Sequence, residues 1–326
     1  MSRPGPRNTI TDVPGITVGN AENFDLVTGT TVVLADKPAV AAADVRGGAP
    51  GVRDTEALAP TAMVQQAHAI CLSGGSAFGL DAAGGVMDWL RRKGRGIEIG
   101  TARVPIVPAA IIFDLLTGPD PSWEAPPWWD LGLRAAETAS RDFSLGNAGA
   151  GLGAIAGQIK GGLGTASAVH GELIVGALAV SNPVGSVTMP GSNHFWAWAL
   201  EQENEFGGLG APNNVGDLGE MALKGSEANT TLVVVATNAT LDWAQSGRLA
   251  IMAQDGFARA IRPVHCPMDG DTVFVLATGE VALPDTAATI ARLGMMAADC
   301  AARAITRGVY EARALAGIKA WRDLER

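Results

Sequence analysis

The sequence predicts a layered α/β protein in which helices cover the faces of a buried sheet. Three observations lead there. Apolar residues make up 47% of the 326 and charged residues only 17%, which allows a sizeable core. Short β-branched runs of strand length recur at Thr30–Leu34, Ala69–Leu72, Ile106–Phe113, Leu173–Val180, Leu232–Thr237 and Thr272–Leu276. Between them lie Ala-rich stretches of helical spacing. Ser76–Arg92 sets Phe78, Leu80, Ala83, Val86, Met87 and Leu90 three or four residues apart and ends on basic residues before Gly94. Asp285–Arg307 continues toward Val309–Ala320 as a long C-terminal helical region, with Gly308 as the expected break. Pro119–Asp130 reads as a surface loop and Gln202–Ala228 as a polar linker.

Charge and composition exclude several functions. A net charge of −9 argues against nucleic acid as a partner, because phosphate binding wants a basic face. Ten basic and ten acidic residues follow Asn229, so the whole excess lies in residues 1–229. The longest uncharged stretch, Leu173 to Leu200, is broken by Asn182-Pro183 and by Pro190-Gly-Ser-Asn-His194, and reads as strand, loop and helix rather than a membrane span. The polar, proline-broken start shows no export signal. Cys71, Cys266 and Cys300 are too scattered for a disulfide framework. A cytoplasmic protein is expected.

The most informative place is the junction where the linker meets Asn229-Thr-Thr-Leu-Val-Val-Val235. Thr230 and Thr231 can be read as β-formers opening a buried strand. They can also be read as a nucleophile that carries its own base. A cut before Thr230 would put a hydroxyl and a new α-amine on one residue, and such an amine titrates near pH ~7.7–8.0. The cut would leave chains of 229 and 97 residues.

Other polar residues admit two readings each. Asp269 and Asp271, spaced i, i+2, are either a turn before a strand or two carboxylates on one side of an extended segment, able to orient an amine and shuttle a proton. Asn182 is either a turn residue before Pro183 or an oxyanion donor. Lys160, in a glycine-rich loop, is either solvated or a source of positive potential near a nucleophile. Gly75 and Ser76 are candidate pocket or oxyanion residues, with helix capping by Ser76 as the simpler reading. Gly149–Gly153 lacks a preceding strand, so it is no dinucleotide loop. His68, His170, His194 and His265 lack metal-site spacing, and His265-Cys266 beside two Asp gives only a faint zinc signal. No metal and no cofactor are expected.

Several segments together resemble the P1 family of self-processing aminopeptidases, the DmpA-like L-aminopeptidase/D-esterase group. They are Ile10-Thr-Asp-Val-Pro-Gly-Ile-Thr-Val-Gly19, Ala43-Asp-Val-Arg-Gly-Gly-Ala-Pro-Gly51, Leu72-Ser-Gly-Gly-Ser-Ala-Phe-Gly-Leu-Asp81 and Val104-Pro-Ile-Val-Pro-Ala-Ala-Ile-Ile-Phe-Asp114. Gly149-Ala-Gly151, Lys160-Gly-Gly-Leu-Gly-Thr-Ala-Ser167, Asn182-Pro-Val-Gly185, Asn229-Thr-Thr-Leu232 and Met268-Asp-Gly-Asp-Thr272 follow in the family's order. The resemblance implies an αββα sandwich of the DmpA/ornithine-acetyltransferase type. It also implies a precursor that cuts itself at Asn229-Thr230 into residues 1–229 and 230–326, which stay together as one structural domain. Thr230 is then the nucleophile with Thr231 as competitor, and Asn182, Lys160, Asp269 and Asp271 are the other catalytic positions. The Asn-Thr junction and the Asp/Asp pair resemble the nylon-hydrolase and pantetheine-hydrolase branch more than the β-aminopeptidases. Some relatives place the lysine where this chain has Gln158.

The activity implied is hydrolysis of a small amide or peptide, such as a β- or ω-amino-acid amide, by a homotetramer of two-chain protomers without nucleic acid or membrane partners. The alternatives are an ornithine-acetyltransferase-like acyltransferase and an unprocessed, non-catalytic relative.

Overall fold

The computed structural model describes residues 2–120, 122–218, 229–283 and 287–324. In chain order the described residues form β1 (Ile16–Asn23), β2 (Thr28–Val45), β3 (Val52–Arg53), β4 (Gln66–Ser73), α1 (Ala82–Arg92), β5 (Ile97–Ile99), β6 (Ala102–Val104), β7 (Ala109–Ile111) and α2 (Trp128–Glu137). There follow β8 (Ile155–Ala156), β9 (Ile159–Lys160), β10 (Gly162–His170), β11 (Leu173–Ser181), β12 (Leu232–Ala239), α3 (Trp243–Ala253), α4 (Asp255–Ala260), β13 (Thr272–Val281) and α5 (Ala287–Glu311).

The principal sheet runs β10-β11-β12-β13-β2-β4-β7-β3, with β1 paired to β2. Strand β2 makes it fold over itself. Its residues 28–35 pair with β1, its residues 40–45 pair with β13, and exposed Asp36, Lys37 and Pro38 separate the two halves. A strand broken in this way can serve two stacked layers.

Alternation along the strands shows how the layers stack. Val33, Ile70 and Leu72 share a buried cluster with Leu178, Val180, Leu232, Val234 and Phe274, which is the seam between the two sheet halves. Their neighbours Val32, Leu34 and Cys71 face the other way, onto Ala83, Val86 and Leu90 of α1 and Leu131 and Ala135 of α2. On the opposite side Val233, Val235, Val273 and Val275 pack on Leu249 of α3, Phe257 of α4 and Met296, Ala301 and Ile305 of α5. The order is helix, sheet, sheet, helix: an αββα sandwich. Strands buried on both faces read as continuous apolar runs, which is why Leu232–Thr237 and Thr272–Leu276 are legible in the sequence.

Strands β12 and β13 are parallel and in register from Leu232↔Thr272 onward. Helices α3 and α4 supply the crossover that a parallel pair needs. The Asn229-Thr230-Thr231 approach to β12 therefore lies beside the Asp269-Gly270-Asp271 approach to β13.

Four expectations are corrected. Helix α5 runs through Gly308 without a break, because glycine there is a contact residue: a Cβ would meet the Gly162 carbonyl at 2.6 Å. Trp128 opens α2 and is fully buried, so the loop starting at Pro119 ends before it. Only Ala109–Ile111 of the Ile106–Phe113 run joins the ladder. Phe78 sits on a 3-10 turn, Ser76–Asp81, half-exposed and off the packed face of α1. Of the expected linker, residues 219–228 lie outside the described residues.

One buried ion pair ties α5 to the rest of the molecule. Arg303 has no exposed surface; its Nε and Nη2 donate to the Glu205 carboxylate at 2.5 and 2.9 Å, Nη1 to Ser167 O at 2.9 Å and Nη2 to Asn8 Oδ1 at 2.9 Å. Arg303→Met takes away the guanidinium that donates to both oxygens of the Glu205 carboxylate, which keeps Asn8 Nδ2 at 2.6 Å and the more distant Arg307 Nη1 at 3.9 Å. Denaturant unfolding is expected to show a loss of about 3 kcal/mol, the low end for a buried pair that loses one member.

Candidate active site

The two parallel approaches meet at Thr230. Thr230 is 3% exposed, and its Oγ1 hydroxyl donates to the carbonyl oxygen of Asn229, the residue before it. The Gly270 N–H bridges the same two oxygens, at 2.9 Å from Asn229 O and 3.1 Å from Thr230 Oγ1. A backbone bridge between Asn229 and Asp269 fixes this register, and Asn229 N–H donates to Met268 O at 3.0 Å. The hydroxyl thus rests against the carbonyl of the preceding peptide, and a backbone donor already holds that carbonyl oxygen. Such a donor stabilises the negative charge that develops there when a nucleophile adds.

Thr231 is placed differently. Its N–H donates to Asp271 Oδ1 at 2.7 Å, while its Oγ1 is buried without a hydrogen-bond partner among the described residues. Of the two adjacent threonine hydroxyls, that of Thr230 rests on the Asn229 carbonyl and that of Thr231 does not.

The two aspartates are buried and held by backbone donors. Asp269 Oδ1 accepts from Val184 N–H at 3.1 Å and Oδ2 from Cys266 N–H at 2.9 Å. Burial, and then the charge of Asp271, push the Asp269 carboxyl up to about 6. Burial and the neighbouring carboxylates likewise push the Cys266 thiol up to about 11, so it stays protonated beside Asp269. Asp271 also meets His265, whose Nδ1 is 2.9 Å from Oδ2. The structure brings both aspartates, candidates from the sequence, beside the junction. Sequence reasoning missed the Gly270 N–H, because a backbone donor carries no residue-type signal.

Asn182 and Lys160 lie on the other side. The main-chain carbonyl of Asn182 accepts from Thr230 N–H at 2.9 Å. Its side-chain Oδ1 accepts from Ile155 N–H at 2.9 Å, and its Nδ2 lies 3.4 Å from Phe113 O. Lys160 is fully buried at the end of β9; its Nζ donates to Gly151 O, Ala154 O and Gly161 O at 3.0, 2.8 and 2.9 Å. The solvated reading of this lysine is wrong. Its ammonium draws together the loop whose next residue, Ile155, holds Asn182, and Asn182 holds Thr230.

Gly75 and Ser76 do not present free backbone donors. Gly75 N–H donates to Asp114 Oδ1 at 2.7 Å and Ser76 N–H to Ile112 O at 3.0 Å. Ser76 is also not the cap: Gly75, at φ +88°, occupies that position and Ser76 opens the turn. Among the described residues, no group of three or more His, Cys, Asp or Glu could hold a metal ion.

Gly270→Ala tests the contact at the centre. A Cβ would stand 2.6 Å from Thr230 Oγ1 and 2.9 Å from Ala49 O, so the hydroxyl must move while the N–H donor remains. A displacement of that kind costs about 100-fold in a positioned reaction. Any reaction in which Thr230 Oγ1 adds to a carbonyl, timed by the appearance of its product, is expected to slow by at least that much.

The model of peptidase family S58 matches residues 8–322. The chain belongs to this family. It is similar to a protein of Mycobacterium tuberculosis H37Rv named as an uncharacterized aminopeptidase, at 43% identity over 97% of this chain and 98% of the relative. It is similar also to the 6-aminohexanoate-oligomer endohydrolase of Paenarthrobacter ureafaciens, at 32% identity over 84% of this chain and 76% of the relative. Among solved structures, the S58 chain superimposes on the L-aminopeptidase D-Ala-esterase/amidase of Ochrobactrum anthropi, described as a variant of the Ntn hydrolase fold. The TM-score is 0.73 at 19% identity, over 96% of this chain and 88% of that one. A β-aminopeptidase of Burkholderia sp. gives a TM-score of 0.71 at 24% identity, over 98% and 92%. The fold is that of the Ntn hydrolases. No helix among the described residues is long and apolar enough to cross a membrane.

Proposed function

We propose that this S58 chain is a self-processing amidohydrolase whose nucleophile is Thr230, released as an N-terminal residue when the Asn229–Thr230 bond is cut. The observation that carries the reading is the pairing of Thr230 Oγ1 with the Asn229 carbonyl under one shared donor, Gly270 N–H. In the first step Oγ1 adds to the Asn229 carbonyl carbon. The C–N bond breaks, the nitrogen takes the hydroxyl proton, and an ester joins Asn229 to Thr230 Oγ. Water then hydrolyses the ester, leaving a carboxylate on Asn229 and a free hydroxyl and amine on Thr230. Residues 1–229 and 230–326 stay together, because β12 remains paired with β11 and α5 remains bound through Arg303.

In turnover the same hydroxyl adds to a substrate amide, with the Thr230 amine as base. The amine sits where Asn182 O already accepts from it and where Asp269 and Asp271 flank the strand starts. A cavity of about 710 Å³ is lined in part by Gln158, Ser186, Met189, Trp196 and Arg262; neither Thr230 nor the aspartates line it. Its volume would suit a small amide or a short peptide. The Asn-Thr junction, the Asp/Asp pair and the likeness to a 6-aminohexanoate-oligomer endohydrolase favour ω-amino-acid amides within that class.

A panel of α-, β- and ω-amino-acid p-nitroanilides, together with 6-aminohexanoate oligomers, tests the substrate class. Release of amine from at least one member by the wild-type chain is expected. Acyl transfer only when an acceptor amine is supplied would instead place the chain among acyltransferases.

A further inference from the structure

His265 stands beside the acidic pair and is not accounted for by the scheme above. It lies in the loop between α4 and β13, with its backbone in the left-handed region at φ +53°. Non-glycine residues are uncommon there, and the conformation has a visible consequence. It turns both the backbone N–H and the ring of His265 onto one oxygen: N–H is 3.2 Å and Nδ1 2.9 Å from Asp271 Oδ2. The other oxygen of Asp271 accepts from Thr231 N–H. Oδ2 already accepts from the His265 N–H, and the tautomer with its proton on Nδ1 lets the ring donate to the same oxygen.

Among the described residues, Asp271, Asp269 and the Cys266 thiol are the titratable groups on the loop and the strand approach. From α4 the Phe257 ring packs at 5.6 Å between centroids. From the end of β2, Arg46 reaches Asp271 only through its backbone N–H, and its guanidinium is bonded to Asp44. Arg262, three residues earlier, lies over Trp196. Among the described residues, the side-chain donor on Asp271 is therefore His265.

We infer that His265 is a positioning residue for the acidic pair: its Nδ1–H holds the negative charge on Asp271, against the amide that follows Thr230. The inference rests on the proposed role of Thr230. Removing the Nδ1 donor destabilises the ionised pair, so ionisation moves to higher pH.

The test is the pH profile of self-cleavage in chain made by cell-free synthesis, so that uncut precursor is present at the start. In the precursor the Thr230 nitrogen is still an amide, and the acid limb reports the acidic pair rather than an α-amine. Four chains are compared between pH 5 and 8: wild type, His265→Ala, His265→Asn and His265→Gln. Asn tolerates the left-handed backbone and puts its amide nitrogen near the place of Nδ1, whereas Gln puts it near Nε2. The acid limb of the Ala and Gln variants is expected to lie about one pH unit above wild type, with the Asn variant close to wild type. At a pH on the limb that is about a tenfold loss of rate, recovered at higher pH.

A merely structural role would lower the rate at every pH without moving the limb, and that result would overturn the inference. So would an Asn limb that coincides with the Gln limb, a comparison that still decides if the Ala variant fails to fold. A wild-type chain that never cleaves would instead overturn the reading of Thr230 itself.

Discussion

Thr230→Ala is expected to remain one chain of 33.4 kDa at all times and to hydrolyse no amide above background. Removing a nucleophile lowers turnover by at least about 10⁴-fold, because positioning and oxyanion contacts alone supply only the remainder. The variant should fold, since the lost hydroxyl bonds only Asn229 O and Gly270 N–H among the described contacts. Thr230→Ser, which keeps the oxygen, should still cut. The neighbouring substitution makes the comparison sharp. Thr231 Oγ1 has no hydrogen-bond partner among the described residues, so Thr231→Ala removes no bond. It should stay within about 1 kcal/mol of wild type and process normally. Intact mass and p-nitroanilide release measured on both variants give opposite answers if Thr230 is the nucleophile. The same answer from both would assign the hydroxyl elsewhere.

The second large effect is expected at Lys160. Methionine of similar length in its place leaves three buried carbonyls, those of Gly151, Ala154 and Gly161, without their common donor. Gly151 O and Ala154 O each keep one backbone donor, from Ala154 N–H and Gly161 N–H, while Gly161 O loses the donor given for it. An unsatisfied buried acceptor costs about 1–3 kcal/mol, and relief of the ammonium's own desolvation offsets part of it. A net loss of about 2 kcal/mol is expected in urea unfolding, measured in a Thr230→Ala background so that every molecule is the same uncut chain. Processing in the Lys160→Met single variant should slow at least tenfold, because the loop that lysine gathers holds Asn182 through Ile155 N–H. Stability within 1 kcal/mol of the background would mean that the carbonyls find other donors and that the lysine does not organise the loop.

The parts of this fold that were legible in the sequence are those where burial leaves a chemical trace. Strands β12 and β13 are covered on both faces, so Leu232–Thr237 and Thr272–Leu276 had to be apolar and β-branched. The acidic pair and the Asn-Thr junction could be found because side-chain types define them. Strand β10, by contrast, reads Gly-Leu-Gly-Thr-Ala-Ser-Ala-Val-His and looks like a loop. Its composition reflects the closeness of α5: a Cβ on Gly164 would stand 2.1 Å from Ala304 O. Where two backbones touch, side chains are excluded and the β-branched signal disappears. Gly308 misled for the same reason, since a glycine that admits a neighbouring strand looks like one that ends a helix. Trp128 looked like part of a surface loop because Pro126 and Pro127 precede it, yet they lead into the first turn of α2. The shared donor at Gly270 had no side chain to announce it.

Intact-mass spectrometry of the purified, denatured wild-type chain, with N-terminal sequencing of any small fragment, tests the assignment of Thr230 most directly. Two species are expected, the smaller being the 97 residues 230–326 and beginning Thr-Thr-Leu-Val. A single species near 33.4 kDa that survives prolonged incubation would contradict self-processing at Asn229–Thr230.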